Sequence, residues 1–459
     1  MRGVILSAVL AGVLGAQQYV VDWMSILDNG DDDVAYGLAI DTSGNAYITG
    51  ASKINGAYHL ITASYDSSGS LNWMDTLDLG TSSGGFGVTV DKNGYIYVCG
   101  DKRMGMDADF ILMKYDPSGD LEWYTTLDKS DDDVAYGVAV YDTEAIYVTG
   151  VSFLSGTGDY LLVKYAFNGE PVWMDSIDNG GIDIPGGIAL DTGGYIYVTG
   201  KSHNGGDYDF FTVKYDPSGN LVWNRFEDNG NDDCAYAVAV DASDNVYVTG
   251  SAVIGNNSDF YTVKYDSQGN LLWSQSFDCT SNDVAQGIAV DSVGNVYVTG
   301  IAHVTPSDYD FLTLIYDSAG NLLWCDTLEE GTYSWGIAVD GYKNIYLTGK
   351  VGTGYDGDIL TVRYLYQSGS YESGAPGSIV RFALSSLNRG GVDYSCYLPG
   401  RGLYELQLFD VGGRLLEGRS LNPGGPYHGR FEPLRSGLYF LVLKGGGSRI
   451  VRKTIVLSP

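Results

Sequence analysis

Residues 235–273 decide the fold: AYAVAVD (235–241), NVYVTG (245–250), DFYTVKYD (259–266) and NLLW (270–273), with short polar connections between them. Each segment is rich in Val, Ile, Tyr, Phe and Thr and is bounded by Gly, Asn, Asp or Ser, which is the composition of a β-strand. DASDN (241–245) and DSQGN (266–270) read as tight turns, with Asp bonding its own backbone and Gly or Asn free to take positive φ. Four extended segments in this order make one antiparallel meander, whose strands we letter A to D.

The unit repeats. Trp recurs on strand D at Trp23, Trp73, Trp123, Trp173, Trp223, Trp273 and Trp324, in steps of 50 residues five times and then 51. A Gly closes strand B at Gly50, Gly100, Gly150, Gly200, Gly250, Gly300 and Gly349, and Thr precedes six of the seven. Four strands at this period fit a propeller blade better than a solenoid coil. Near-continuous apolar runs such as VYVTG agree, because blade sheets are covered on both faces whereas alternation marks a wet face. Nothing in residues 17–366 holds a helical period over ten residues, so the domain is all-β. The expected fold is a seven-bladed β-propeller. Its sequence opens with a strand D (19–27) and its last repeat ends with a strand C (358–364), giving seven of each strand and 28 in all. Closure of the ring therefore requires the N-terminal strand to complete the last blade, which removes the open sheet edges.

Outside the repeats the sequence changes character. Met1 and Arg2 precede VILSAVLAGVLGA (4–16), which reads as a secretory signal with a mature start near Gln17. That run is too short to span a bilayer, and no other long apolar run predicts a transmembrane segment. QSGSYESGAPGS (367–378) reads as a linker, and 379–459 as a second β-domain with strands at SIVRFAL, DYSCYL, LYELQLFD, GLYFLVLKG and RIVRKTIVL. There Leu406 and Leu408 alternate with Glu405 and Gln407, as in an immunoglobulin-like β-sandwich with one wet face. The net charge of −31 is divided unevenly: 367–459 holds 11 Lys or Arg against 6 Asp or Glu, and 1–366 holds 15 against 51. So acidic a body repels phosphate backbones and anionic lipid heads, which makes nucleic acid and membrane surfaces poor partners. The five cysteines are odd in number, scattered and without C-x-x-C spacing, so they form neither a disulfide framework nor a zinc site. Cys99 stands where other repeats have Thr, and Cys234 where others have Val, as small core residues.

GIAVDSVGNVYVTG (287–300) followed by DFLTLIYDSAGNLLW (310–324) resembles the bacterial seven-bladed β-propeller repeat family (SBBP-type), and the likeness covers about residues 19–366. That resemblance implies a fold and an extracellular setting but no reaction. YELQLFDVGGR (404–414), the SGLYFLVLKGG hairpin (436–446) and the closing RKTIVLSP (452–459) resemble the type A sorting domain of the type IX secretion system. This second resemblance implies the type IX machinery as a partner, and release or attachment at the cell surface.

In such a meander the D–A and B–C connections share one end of the propeller. The A–B and C–D turns at the other end are uniform, whereas the B–C loops differ in every copy, and divergent loops on a regular scaffold are where binding sits. The D–A loops hold 19 Asp or Glu and a single Lys, Lys129. Asp28, Asp78, Asp128, Asp178, Asp228 and Asp278 recur in phase as turn caps, and Asp33, Asp133, Asp183, Asp233 and Asp283 as starters of strand A. Setting these aside leaves Asp31, Asp32, Asp131, Asp132 and Asp232 as candidate Ca²⁺ ligands, although no loop has EF-hand spacing. The strand D tryptophans share one position and read as blade packing, as do the strand B tyrosines. Trp335 stands apart from them with Tyr333 beside it, near the acidic end, and the two form a candidate stacking platform for a ligand. Four scattered histidines, no G-x-S-x-G and no P-loop argue against hydrolytic or nucleotide chemistry. The D-x-x-G-x-x-x-W corner at 216–223 resembles a quinoprotein repeat, without the adjacent cysteines and cationic contacts expected there. The expectation is an exported, non-enzymatic propeller that binds a surface polymer or protein through the D–A/B–C loop face, its ligand an unknown protein or polysaccharide. The rivals are a secreted carbohydrate-active or quinone-dependent enzyme and a structural surface-layer component.

Overall fold

A computed structural model describes residues 18–367, apart from 106, 130–131, 143, 154–156, 256, 279–281, 306–307, 329–332 and 353–356, and seven further strands between 381 and 456. The signal-like N-terminus and the Gly/Ser segment lie outside the described residues. The repeats form seven four-stranded antiparallel sheets. Blade 1 consists of Asp33–Ile40, Ala46–Ile54, Ala57–Tyr65 and Leu71–Leu77 as strands A to D. Blades 2 to 6 follow, their A strands at Ser82–Val90, Asp133–Tyr141, Ile184–Leu190, Cys234–Val240 and Val284–Val290. Blade 7 takes Tyr333–Val339, Ile345–Val351 and Asp358–Gln367 from the end of the repeats and Gln18–Leu27 from their beginning. The expected clasp is present: strand D of blade 7 pairs with its strand C from Gln18↔Gln367 to Leu27↔Ile359.

Burial follows the strand order. The first seven residues of Ala46–Ile54 are all buried, as is every residue of Ala145–Ser152, because neighbouring blades cover both faces of strand B. Strand D is the outer rim; in Leu71–Leu77 no residue is fully buried. The core is a series of apolar layers between blades, each mixing residues of two sheets. One joins Tyr197 and Phe210 of blade 4 to Val246, Val248 and Val263 of blade 5.

The in-phase residues hold blades together. The Trp23 indole N–H donates to the Ser67 carbonyl in the C–D turn of the next blade (3.2 Å), and Trp223 repeats this with Ser267. The same turn demands glycine at Gly69: φ is +84°, and a Cβ would lie 2.5 Å from the Trp23 ring. At the same end, strand B tyrosines donate their hydroxyls to the A–B turn aspartates, as Tyr197 to Asp191 Oδ2 (2.9 Å) and Tyr247 to Asp241 Oδ2 (2.9 Å). Asp241 in turn accepts backbone N–H groups of Ser243 and Asn245, the turn chemistry its sequence implied. Cys99 is a buried free thiol in the core, as its alignment with Thr implied.

The chain divides into two compact units between Ser368 and Gly369. The second unit has a three-stranded sheet (Arg381–Ser385, Val392–Leu398, Gly425–Phe431) and a four-stranded one in the order Leu415–Leu421, Tyr404–Asp410, Gly437–Gly445, Ser448–Val456. Two of these strands, Leu415–Leu421 and Gly425–Phe431, were not expected. Their segments LLEGRSL and GPYHGRF lack any β-branched residue, and pairing with Tyr404–Asp410 and Val392–Leu398 overrides the weak local preference. Leu406 is buried as its alternation implied, and Gln407 beside it is buried as well.

Candidate binding cleft

Every strand A, the innermost of its blade, carries the same irregularity. Its register with strand B slips between Ala35 and Gly37, Gly85 and Gly87, Ala135 and Gly137, Pro185 and Gly187, Ala235 and Ala237, Ala285 and Gly287, and Ser334 and Gly336. The residues left without a partner are Tyr36, Phe86, Tyr136, Gly186, Tyr236, Gln286 and Trp335. A bulge re-aims the side chain of its extra residue. Strand A begins at the D–A loop, so the seven bulged residues ring the central channel close to its D–A/B–C end. The channel itself is a space of about 200 Å³ walled by the A strands of blades 1 to 7.

On one side of this ring the bulged residues are aromatic and touch in series. Trp335 meets Tyr36 (ring centroids 5.2 Å apart), Tyr36 meets Phe86 (5.2 Å), and Phe86 meets Tyr136 (5.6 Å). Tyr333 stacks on Trp335 (5.5 Å, interplanar angle 20°), Tyr309 lies against Tyr333 (5.4 Å), and His303 against Tyr309 (4.2 Å). All seven rings are half-buried, so each keeps part of its surface open to solvent.

A cleft of about 350 Å³ opens beside this arc, bounded by blades 7, 1 and 2. Tyr333, Trp335, Tyr36 and Phe86 supply its apolar wall. Its polar wall is two ion pairs: Lys350 Nζ with Asp32 Oδ1 at 2.5 Å, and Arg103 Nε with Asp101 Oδ2 at 2.9 Å. The Tyr58 hydroxyl donates to the second oxygen of Asp32 (2.9 Å). Burial holds the Asp101 carboxyl above the usual carboxylate range, outweighing the opposite pull of Arg103. Burial likewise raises the hydroxyls of Tyr36 and Tyr333. An aromatic wall facing paired carboxylates and cations can stack on an apolar ring face while accepting from and donating to hydroxyls around that ring.

The structure thus places Trp335 and Tyr333 together in the wall of one cleft. Of the five aspartates, the four that are described are not gathered in that way. Asp31 is exposed and donates its backbone N–H to the Lys53 carbonyl (2.9 Å). Asp32 is buried in the cleft against Lys350. Asp132 accepts the Ala108 N–H (2.9 Å) and Asp232 the Tyr208 N–H (3.1 Å), equivalent bonds to strand C of the preceding blade. Asp131 lies outside the described residues. Among the described residues, carboxylates do meet in threes at the blade junctions, but they come from the positions read as caps and strand starters, together with strand C.

Tyr36, Phe86, Tyr58, Asp101, Arg103 and Lys350 were not singled out by the sequence. A signal for the first two was available: Trp335 is in phase with them, each lying between small residues in AYG (35–37), GFG (85–87) and SWG (334–336). Nothing local marks Lys350, whose pairing with Asp32 depends on blade 7 closing against blade 1, whereas Arg103 meets Asp101 two residues away on the same strand of blade 2.

The Beta-propeller repeat model (SBBP) matches residues 18–56 and 280–305. The first match spans the closing strand and the first two strands of blade 1; the second runs from the last D–A loop residues before blade 6 into its strand B. No curated protein matches the chain. Among solved structures, Sqt1 from Chaetomium thermophilum is 13% identical with a TM-score of 0.45, covering 78% of this chain and 100% of its own. A protein of unknown function from Bacteroides caccae is 11% identical (TM-score 0.41), with 66% and 97% covered. A polysaccharide lyase solved with a bound ulvan fragment is 12% identical (TM-score 0.47), with 76% and 96% covered.

Proposed function

We propose that this chain is an exported, non-enzymatic binding propeller that holds a polysaccharide in the cleft between blades 7, 1 and 2. The observation behind the reading is the continuous aromatic arc from Tyr333 through Trp335 and Tyr36 to Phe86, set against two charge-paired walls. Aromatic faces of that kind stack on the C–H faces of sugar rings. Each cation in the wall already has its own carboxylate, so the site is near neutral locally despite the acidic body, and it suits a hydroxyl-rich ligand better than a highly charged one. The secretory reading of residues 1–16 and the sorting-domain resemblance of the C-terminal unit support export and cell-surface display through the type IX machinery.

The test is affinity electrophoresis of the full chain through gels containing a neutral β-glucan, xylan or the polyuronate alginate. Retardation by a neutral polymer, abolished in Trp335→Ala and in Tyr36→Ala at unchanged melting temperature, is the expected result. Equal retardation of wild type and both variants would remove the cleft from consideration. A second reading, a carbohydrate-active enzyme, draws on Asp101, whose burial favours the protonated form that a general acid requires. Release of reducing or unsaturated ends by the wild type, lost in Asp101→Asn, would favour it.

A further inference from the structure

The junction between blades 3 and 4 contains a buried carboxylate oxygen without a donor. Asp159, the first residue of strand C in blade 3, is 7% exposed, and its Oδ1 is buried with no hydrogen-bond partner. Oxygens of Asp159, Asp178 and Asp183 all lie within 4.8 Å of one another. The backbone fixes that approach: the Asp183 N–H donates to the carbonyl of Gly158, the residue before Asp159 (2.6 Å). Asp183 is fully buried and accepts the N–H groups of Asn179 (2.8 Å) and His203 (3.1 Å), and Asp178 accepts that of Gly180 (2.7 Å). Among the described residues the charges acting on Asp159 are those of Asp178 and Asp183, like its own, and Asp178 is exposed, leaving the cluster a route to solvent.

Leaving a buried carboxylate oxygen undonated beside two other carboxylates is costly unless a cation joins them. Oxygen-only ligation at a partly solvated loop selects a hard divalent ion, and the ligand number suits Ca²⁺, which takes carboxylates in one- or two-oxygen modes together with carbonyls and water. We propose that Asp159, Asp178 and Asp183 form a Ca²⁺ site that staples blade 3 to blade 4. The same device recurs at the ring closure, where Asp28, Asp33 and Asp358 meet and the buried Asp33 Oδ1 has no hydrogen-bond partner. Asp259, Asp278 and Asp283 repeat it between blades 5 and 6. The chain also holds its own contrast. Between blades 1 and 2 the corresponding positions are His59, Asp78 and Ser83, and the imidazole sits 3.9 Å from the one remaining carboxylate. An imidazole there takes the place of the strand C carboxylate, and a serine that of the strand-starting one.

Equilibrium dialysis of the full chain against Ca²⁺ up to about 1 mM, the range of extracellular calcium modules, tests the assignment. Wild type binds several ions per chain, and both Asp159→Asn and Asp178→Asn lower the stoichiometry by one. In EDTA, Asp159→Asn melts at or above the wild-type temperature, since it removes a repulsion; in Ca²⁺ the order reverses. The second variant alters an exposed residue and keeps the test valid if the first folds poorly. No bound Ca²⁺, or unchanged stoichiometry in both variants, would overturn the site.

Discussion

The ring is covalently continuous everywhere except between strands C and D of blade 7, so the clasp should be where the propeller opens. Trp23→Ala tests this against Trp223→Ala. The two tryptophans are equivalent: 7% and 9% exposed, each donating to a C–D turn carbonyl of the next blade at 3.2 Å. Truncating a buried Trp to Ala removes about 3–5 kcal/mol of packing. With an unfolding entropy of about 2.1 cal/mol/K per residue over roughly 350 residues, ~4 kcal/mol lowers the melting temperature by about 5 °C at either site. Local opening is where the variants differ. Trp223 lies in a strand tethered at both ends, so its loss weakens the whole unit. Trp23 lies in a strand, Gln18–Leu27, that is tied to its blade only by hydrogen bonds and side chains. There the full ~4 kcal/mol falls on the local opening equilibrium, a change of about a thousandfold. Amide exchange read by mass spectrometry should accelerate by that order in 18–27 and 358–367 of Trp23→Ala, with blade 4 unaffected. Equal acceleration in the two variants, or none in these strands, would refute the argument that the clasp is the weak seam.

Three further outcomes follow from individual sites. Gly50→Ala places a Cβ 1.8 Å from the Val34 carbonyl oxygen and should abolish soluble expression, whereas Gly206→Ala, with nothing within 4 Å, stays within about 0.5 kcal/mol of wild type in denaturant titration. Lys350→Ala strips the cation from Asp32, itself 6% exposed, and should cost about 3–5 kcal/mol in the same assay; a loss below about 1 kcal/mol would mean the pair is solvated. Burial pushes the Tyr65 hydroxyl from 10.0 up to about 12, and Tyr47 and Tyr346 likewise. Because these folded-state values lie above the unfolded one, stability is intact below pH 10.0 and falls as pH rises toward 12, by about 1.4 kcal/mol per pH unit for a fully buried tyrosine such as Tyr65. Ultraviolet titration should show cooperative ionisation coincident with unfolding in that interval; gradual ionisation of a folded protein would contradict it.

The fold was legible because the residues that specify it act locally and repeat. Asp241 turns its own chain, Tyr247 reaches back six residues to that Asp, and Trp223 meets a turn 44 residues on, all within one period or less. The same repetition hid the sites. Asp178 and Asp183 were set aside as backbone caps because they recur, and both do accept backbone N–H groups. Recurrence, however, also brings D–A loops against strand C of the preceding blade, so Asp178 and Asp183 meet Asp159, about 20 residues earlier in sequence and marked by nothing local. The reverse error applies to Trp335. It seemed exceptional because it falls outside the strand D register, yet it occupies the same bulge as Tyr36, Phe86 and Tyr136. A bulge shifts the side-chain alternation by one, so neither period 2 nor a tally of the conspicuous tryptophans exposes the ring it builds. Substitution at a fixed address interrupts the aromatic series: Gly186 and Gln286 stand where Trp335, Tyr36, Phe86 and Tyr136 carry rings. In this chain the repeat sets the scaffold, and specificity lies in what individual copies place at positions the repeat has already aimed at the channel.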